Sequence, residues 1–239
     1  MSKRYIPVKE RWQHHHEPTI LSFVAGWINA VGFIALFGIY TNHVTGYIIT
    51  ASKETILGGI GVWALLLFTF ICTIGFTAWF EKRWQHKFPN ILLTFLIFET
   101  IFLILFMLAG VYFGPFETLS QFGTIATAML GIIAMGIRNA IIRTLLSSMA
   151  TSTLMTGNIA QLTIDIITIY GLSNTTNEEK YLAKKNISKI LPTVLSFSSG
   201  AILGAIGYLK LSFFCILIPI ILMVYICYRE WVGGYQKNL

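Results

Sequence analysis

The chain has 239 residues, of which 55% are hydrophobic and only 11% are charged, and its formal net charge is +7. An ordinary soluble domain carries about a quarter charged residues, so this composition excludes one. The Lys and Arg residues lie mostly in gaps between apolar runs, which argues against a nucleic-acid-binding protein. All three cysteines fall within apolar runs, and neither a disulfide framework nor a zinc site is predicted.

Six apolar runs follow one another along the chain, each close to the length of about 20 residues that crosses a bilayer. They are residues 21–39, 58–80, 91–113, 122–146, 187–209 and 211–228. Two further segments, 40–57 and 149–171, are more polar, and each has Thr-Gly near its start and an acidic residue later. We interpret the six runs as transmembrane helices and the two Thr-Gly segments as short broken helices that do not span.

The positions of Lys and Arg predict the orientation. If the six runs span, thirteen of these residues lie on one side of the membrane and two on the other; if the Thr-Gly segments also cross, the counts are eleven and four. The positive-inside rule favours six spans with both termini in the cytoplasm, and eight spans are the alternative. The predicted organisation is a cytoplasmic N-terminal segment 1–20, transmembrane repeats 21–113 and 122–228, and a cytoplasmic tail 229–239.

Two short motifs occur twice, about 110 residues apart: G-x-x-N within an apolar run, and T-G in the polar segment that follows, with a carboxylate after it. The matched pairs are Gly26 and Gly136, Asn29 and Asn139, Thr45 and Thr156, Gly46 and Gly157, and Glu54 and Asp165. Three spans per copy is an odd number, so the second copy lies inverted relative to the first. The predicted fold is therefore an all-α membrane protein of two inverted three-helix repeats, the sequence pattern of secondary transporters.

The stretches "FVAGWINAVGFIALFGIYTNHVTGY" and "AMGIRNAIIRTLLSSMATSTLMTGNIAQL" resemble the YoaK-like group of bacterial membrane proteins, a family of unknown function. The likeness covers nearly the whole chain, and it implies a multi-pass protein of the bacterial plasma membrane. The family pattern has Asp where Asn29 stands and Asn where Tyr47 stands. A coupling role through that Asp is therefore not implied for this chain, and the resemblance supplies no substrate.

Ionisable residues at bilayer depth are costly and are functional candidates by default. Arg138 continues a stripe of small residues on its helix, so we predict that it faces the bundle interior and holds an anionic group from a solute or from Glu99. Arg143 lies more than one turn nearer the cytoplasm and is expected to matter less. Snorkelling to the interface is the alternative for both arginines. For Glu99, pairing with an arginine and carrying a proton both remain open.

The candidate substrate-binding residues combine these charges with the repeated polar groups. They are Asn29, His43, Thr45, Glu99, Arg138, Asn139, Thr156 and Asn158. Asn158 is predicted to cap the helix that follows it, where free N–H groups attract anions; capping alone is the alternative. The sequence shows no catalytic motif, metal-ligand spacing or phosphate loop, so we expect no enzymatic activity, metal or cofactor.

These features predict a secondary transporter or permease for a small polar or anionic solute, embedded among membrane lipids. The competing interpretation is a non-transporting protein, such as a lipid-binding or partner-stabilising subunit, and an intramembrane enzyme is a more distant one. Ser196, Gly200 and Gly204 form a stripe of small residues at four-residue spacing, which permits close helix packing. The sequence leaves open whether that contact lies within one chain or between the subunits of a homo-oligomer.

Overall fold

A computed structural model describes residues 16–56, 61–88, 90–146, 155–171 and 175–235, and these residues form helices and short connections without strands. The helices are α1 Glu17–Ala35, α2 Val44–Ile56, α3 Gly61–Trp84, α4 Ile91–Phe113, α5 Phe122–Thr144, α6 Met155–Tyr170, α7 Asn177–Leu211, a 3-10 helix Ser212–Ile216, and α8 Leu217–Tyr235. Most of the predicted N-terminal segment and of the connection before α6 lies outside the described residues.

Five helical stretches are long and apolar enough to cross a membrane, which makes the chain a multi-pass helical membrane protein. Four of them are α1, α3, α4 and α5. The fifth is the stretch Asn177–Gly233, whose 57 residues comprise α7, the 3-10 helix and the greater part of α8. A straight helix of that length would measure about 85 Å, far more than the bilayer core of about 30 Å.

The long stretch folds back on itself at Ser212, whose backbone has φ 49° and ψ −142°. The Ser196 hydroxyl on α7 donates to the Thr19 carbonyl over 2.7 Å, and Arg229 on α8 pairs with Glu17 over 3.1 Å. Both contacts are at the start of α1, so the part of α8 around Arg229 lies at the same end of the molecule as the part of α7 around Ser196. The two helices form an antiparallel hairpin.

Helices α1 and α7 run parallel and approach each other through glycines. Gly200 faces the backbone of Phe23, and Gly204 faces Trp27, whose Cα and carbonyl oxygen lie 2.8 Å from where a Cβ of Gly204 would stand. On α1, a Cβ at Gly26 would overlap the carbonyl oxygen of α7 that faces it. The predicted stripe of small residues therefore packs within one chain, where it lets two backbones meet.

The contacts between helices form matching pairs when α1 to α4, from the first predicted repeat, are exchanged with α5 to α8, from the second. Thus α1 packs on α7, and α5 packs on α3. In the same way α2 packs on α3 as α6 packs on α7, and α4 on α5 as α8 on α1. Gly136 of the repeated motif faces Thr73 on α3, as Gly26 faces α7.

The two Thr-Gly segments form short helices in their described parts, α2 with 13 residues and α6 with 16. These lengths give about 20 and 24 Å, less than the bilayer core. The main contacts of α2 and α6 are with α3 and α7, the next helices of their own repeats, and not with each other. The prediction that Asn158 caps a helix is wrong, because α6 begins three residues earlier and the buried Asn158 side chain lies within its first turn.

Helices α7 and α8 extend beyond the apolar runs that predicted them. Helix α7 starts ten residues before its run because Thr176 and Glu179 form a capping box: the Thr176 N–H donates to the Glu179 carboxylate over 2.8 Å, and the Glu179 N–H donates to the Thr176 hydroxyl over 3.3 Å. Helix α8 continues to Tyr235, into the segment predicted as a tail.

Candidate functional site

Arg138 on α5 and Glu99 on α4 form an ion pair in which neither side chain is exposed. The guanidinium also donates to the Leu21 carbonyl of α1 over 2.5 Å and contacts the Met223 sulfur of α8 at 3.0 Å. A single side chain therefore touches three other helices. Arg143, five residues further along α5, is exposed.

The buried pair does not use all of its hydrogen-bonding capacity. Among the described residues, the Oε2 atom of Glu99 and the Nε atom of Arg138 have no hydrogen-bond partner. Beside the pair, the Thr100 hydroxyl lies 3.8 Å from the sulfur of Cys227. Buried pairs are costly to desolvate unless further hydrogen bonds satisfy them, so this pair is balanced in charge but poor in partners.

A chain reversal after α1 carries polar residues into the bundle. Phe37 and Gly38 both have positive φ, 54° and 83°, which turns the backbone so that it runs back beside α1. The methyl group of Thr41 then lies 2.7 Å from the position of a Cβ at Gly32 and 3.1 Å from that of a Cβ at Gly131 on α5. A Cβ at Gly32 would force the returning chain to shift, and one at Gly131 would make an unusually tight contact with it.

The returning chain makes a polar contact with the second repeat. The Asn139 amide donates to the Asn42 side-chain oxygen and, over 2.9 Å, to the Met135 carbonyl. The Asn42 amide nitrogen and the hydroxyls of Thr41 and Thr127 are buried without a hydrogen-bond partner among the described residues. The loop and α5 therefore enclose several polar groups whose hydrogen-bonding capacity is unused among the described residues.

The structure brings only some of the sequence-predicted residues into the interior. Glu99, Arg138, Asn139 and Asn29 are buried, and the Asn29 side-chain oxygen has no partner among the described residues. Asn158 is buried on α6, on the same face as Asp165.

The other predicted residues lie nearer the surface. His43 is half-buried against the edge of the Tyr40 ring, with 5.4 Å between the ring centroids. Thr45 and Thr156 are exposed on α2 and α6.

Four contributors were not predicted: Thr41, Asn42, the Leu21 carbonyl and Met223. No periodic pattern marks the first two, because they lie in a non-helical connection. The described part of the chain contains no group of three or more His, Cys, Asp or Glu residues placed to hold a metal ion. The candidate site consists of amides, hydroxyls and one ion pair.

Comparison with known proteins gives a family and no function. A family model described as "Protein of unknown function (DUF1275)" matches residues 18–228, which is most of the chain. No curated protein matches the chain. No solved structure matches it either.

Proposed function

Because the chain belongs to the DUF1275 family, whose function is unknown, we propose from its interior polar groups that it is a secondary transporter or permease for a small polar or anionic solute. The observation that carries the proposal is the reversed loop that brings Thr41 and Asn42 against α5. Irregular backbone at membrane depth is tolerated where protein buries it or where it lines a cavity, and interrupted helices form the solute sites of transporters.

The proposal includes six spans arranged as two inverted repeats, with both termini in the cytoplasm of a bacterial cell. The hairpin of α7 and α8 supports the sixth crossing, and the exchange of helix contacts between the repeats supports the internal symmetry. This topology requires α1 and α7 to be parallel, because both would cross the membrane from the cytoplasmic side to the opposite side. The matching family is proposed to be the one that includes the YoaK-like proteins.

Arg138 is the proposed ligand for an anionic group of the solute. In the structure the guanidinium is paired with Glu99, so the solute binds when it displaces that carboxylate or when the carboxylate is neutralised. Asn139 directly follows Arg138 on α5 and donates to the side-chain oxygen of Asn42. The Asn42 amide nitrogen, which has no partner among the described residues, offers a donor to the uncharged part of the solute. No step in this scheme is catalytic.

The test is solute flux in proteoliposomes, with a mixture of small metabolites supplied on one side. Wild-type protein is expected to move at least one solute. The double variant Arg138→Gln with Glu99→Gln, which leaves no unpaired charge, is expected to fold and to lose that flux. Arg143→Gln serves as the matched control, because Arg143 is an exposed arginine on the same helix.

A wild-type protein that moves no solute but co-purifies with one fixed membrane partner would replace the transporter proposal with that of a partner-stabilising subunit. Unchanged flux in the double variant would remove Arg138 from the proposed site while keeping the transporter.

A further inference from the structure

Helices α3, α4 and α5 enclose a groove of about 670 Å³ that is separate from the ion pair. Its wall is dominated by phenylalanines: Phe68, Phe76, Phe80, Phe95, Phe98 and Phe102. Several of these side chains are exposed, Phe68 by 64% and Phe76 by 63% of their surface, so the groove opens to the surroundings of the protein. In a membrane protein, those surroundings are lipid.

The groove offers an occupant no free hydroxyl donor. Its three threonines, Thr69, Thr73 and Thr77, each donate their hydroxyl to the carbonyl four residues earlier in α3, over 2.7 to 2.8 Å. The remaining wall is hydrocarbon, aromatic rings and two sulfur-containing side chains. An occupant of this groove is therefore an alkyl chain or another apolar surface.

The groove exists because α3 meets α5 through larger side chains than those that join α1 and α7. Gly136 on α5 faces the Cβ and methyl of Thr73, whereas at the corresponding contact Gly26 faces the backbone of α7 and Gly200 faces that of α1. Threonine holds α3 away from α5, and the space between them stays open.

The face of α3 that lines the groove ends in basic residues. Arg83 follows Phe80 by three residues and Phe76 by seven, which puts it on the same helix face. The Phe80 ring packs on Trp84 with 6.1 Å between centroids, and the Lys87 ammonium lies 4.4 Å from the Trp84 centroid. Arg83 and Lys87 are exposed. The groove therefore leads past the Phe80–Trp84 pair to the cations Arg83 and Lys87.

We propose that this groove binds one anionic phospholipid, with an acyl chain along α3 and the phosphate at Arg83 and Lys87. From Leu65 to Phe80 the groove extends about 22 Å along the helix, enough for the roughly 15 Å that one leaflet contributes to the bilayer core. The charges match a negative headgroup. A second copy fits less well, because a two-fold axis along the membrane normal would place Arg83 and Lys87 of one subunit against those of the other.

The experiment is native mass spectrometry of the full chain released from detergent micelles, with added phosphatidylglycerol or phosphatidylcholine. We expect one tightly held phosphatidylglycerol and weaker phosphatidylcholine binding. A basic residue near the headgroup contributes about fivefold in affinity, so Arg83→Gln with Lys87→Gln should weaken phosphatidylglycerol binding about 25-fold. Lys184→Gln with Lys185→Gln, an equal loss of charge on exposed residues of α7, should leave it unchanged.

A second pair of variants tests the groove itself. Cys72 is an exposed residue that lines the groove, so Cys72→Trp should fill it and expel the acyl chain. Ile71 is exposed but does not line it, and Ile71→Trp should bind lipid as the wild type does. Because Arg83 and Lys87 are surface residues, the charge variant decides the question even if Cys72→Trp does not fold.

Equal binding of both lipids, or full phosphatidylglycerol binding in the charge variant, would overturn the proposal. A lipid-free dimer that Cys72→Trp converts to a monomer would overturn it in favour of a second copy of this chain in the groove.

Discussion

Removing one partner of the buried ion pair should destabilise the protein far more than removing both. In Arg138→Gln, the Glu99 carboxyl has no exposed surface, no cationic partner and an Oε2 atom that already has no partner among the described residues, so it bears the cost either of a buried charge or of taking up a proton. Breaking a buried pair from one side costs about 3–5 kcal/mol. At about 2–4 °C per kcal/mol for a chain of this length, the Tm should fall by about 6–20 °C.

The assay is thermal unfolding of the purified protein in detergent, followed by the monodisperse fraction on size exclusion. Arg138→Gln with Glu99→Gln should recover most of the loss, because two neutral amides of similar length replace the charges. Arg143→Gln should stay within about 0.5 kcal/mol of the wild type, as exposed substitutions do. A double variant as unstable as the sum of the two single variants would show that the residues are not energetically coupled, and the pairing argument would fail.

Gly26→Ala should lower the free energy of unfolding by about 1–3 kcal/mol in the same assay, because the added Cβ overlaps α7. Gly75→Ala is the control and should not destabilise the protein, because the space around its Cβ is open. Equal effects of the two substitutions would contradict the backbone contact. A cysteine at Gln85 in a Cys-free background should react with an impermeant thiol reagent only after the cells are permeabilised, and labelling of intact cells would reject the six-span topology. The Thr176 N–H and hydroxyl hold the pKa of Glu179 below its ordinary value. The cap therefore stabilises α7 at a pH above the ordinary value, and this stabilisation is lost as the pH falls through the lowered pKa. Thr176→Ala should raise the pKa measured by carboxyl NMR, and no change would mean that the capping box is not formed.

The interior position of Arg138 was predictable because its cause is local. The small residues Thr127, Gly131 and Ala134 precede it on one helix face, and a face of that kind packs against protein. Glu99 was one of the two predicted partners of Arg138, the other being an anionic group of a solute. The Leu21 carbonyl and Met223 were not predictable, because they come from two further helices whose relative placement no spacing in the sequence encodes.

The repeat identified equivalent positions but not the direction in which they point. Thr45 and Thr156 match each other in the two copies, and both are exposed on their helices. The loop contact of Asn42 escaped prediction for a different reason. It depends on a reversal at Phe37 and Gly38, and a phenylalanine at positive φ runs against local backbone preference, so tertiary packing decides it.

The close approach of α1 and α7 also sets the order in which the protein assembles. The hydrogen bond from Ser196 on α7 to Thr19 on α1 joins residues 177 positions apart. By contrast, α3 can pack on α5 as soon as α5 has been synthesised. Among the described helices, α1 therefore waits longest for its main partner. Until α7 is inserted, the Gly26 face of α1 lacks the backbone that covers it in the folded protein, so a chain truncated before α7 would leave that face against lipid or the insertion machinery.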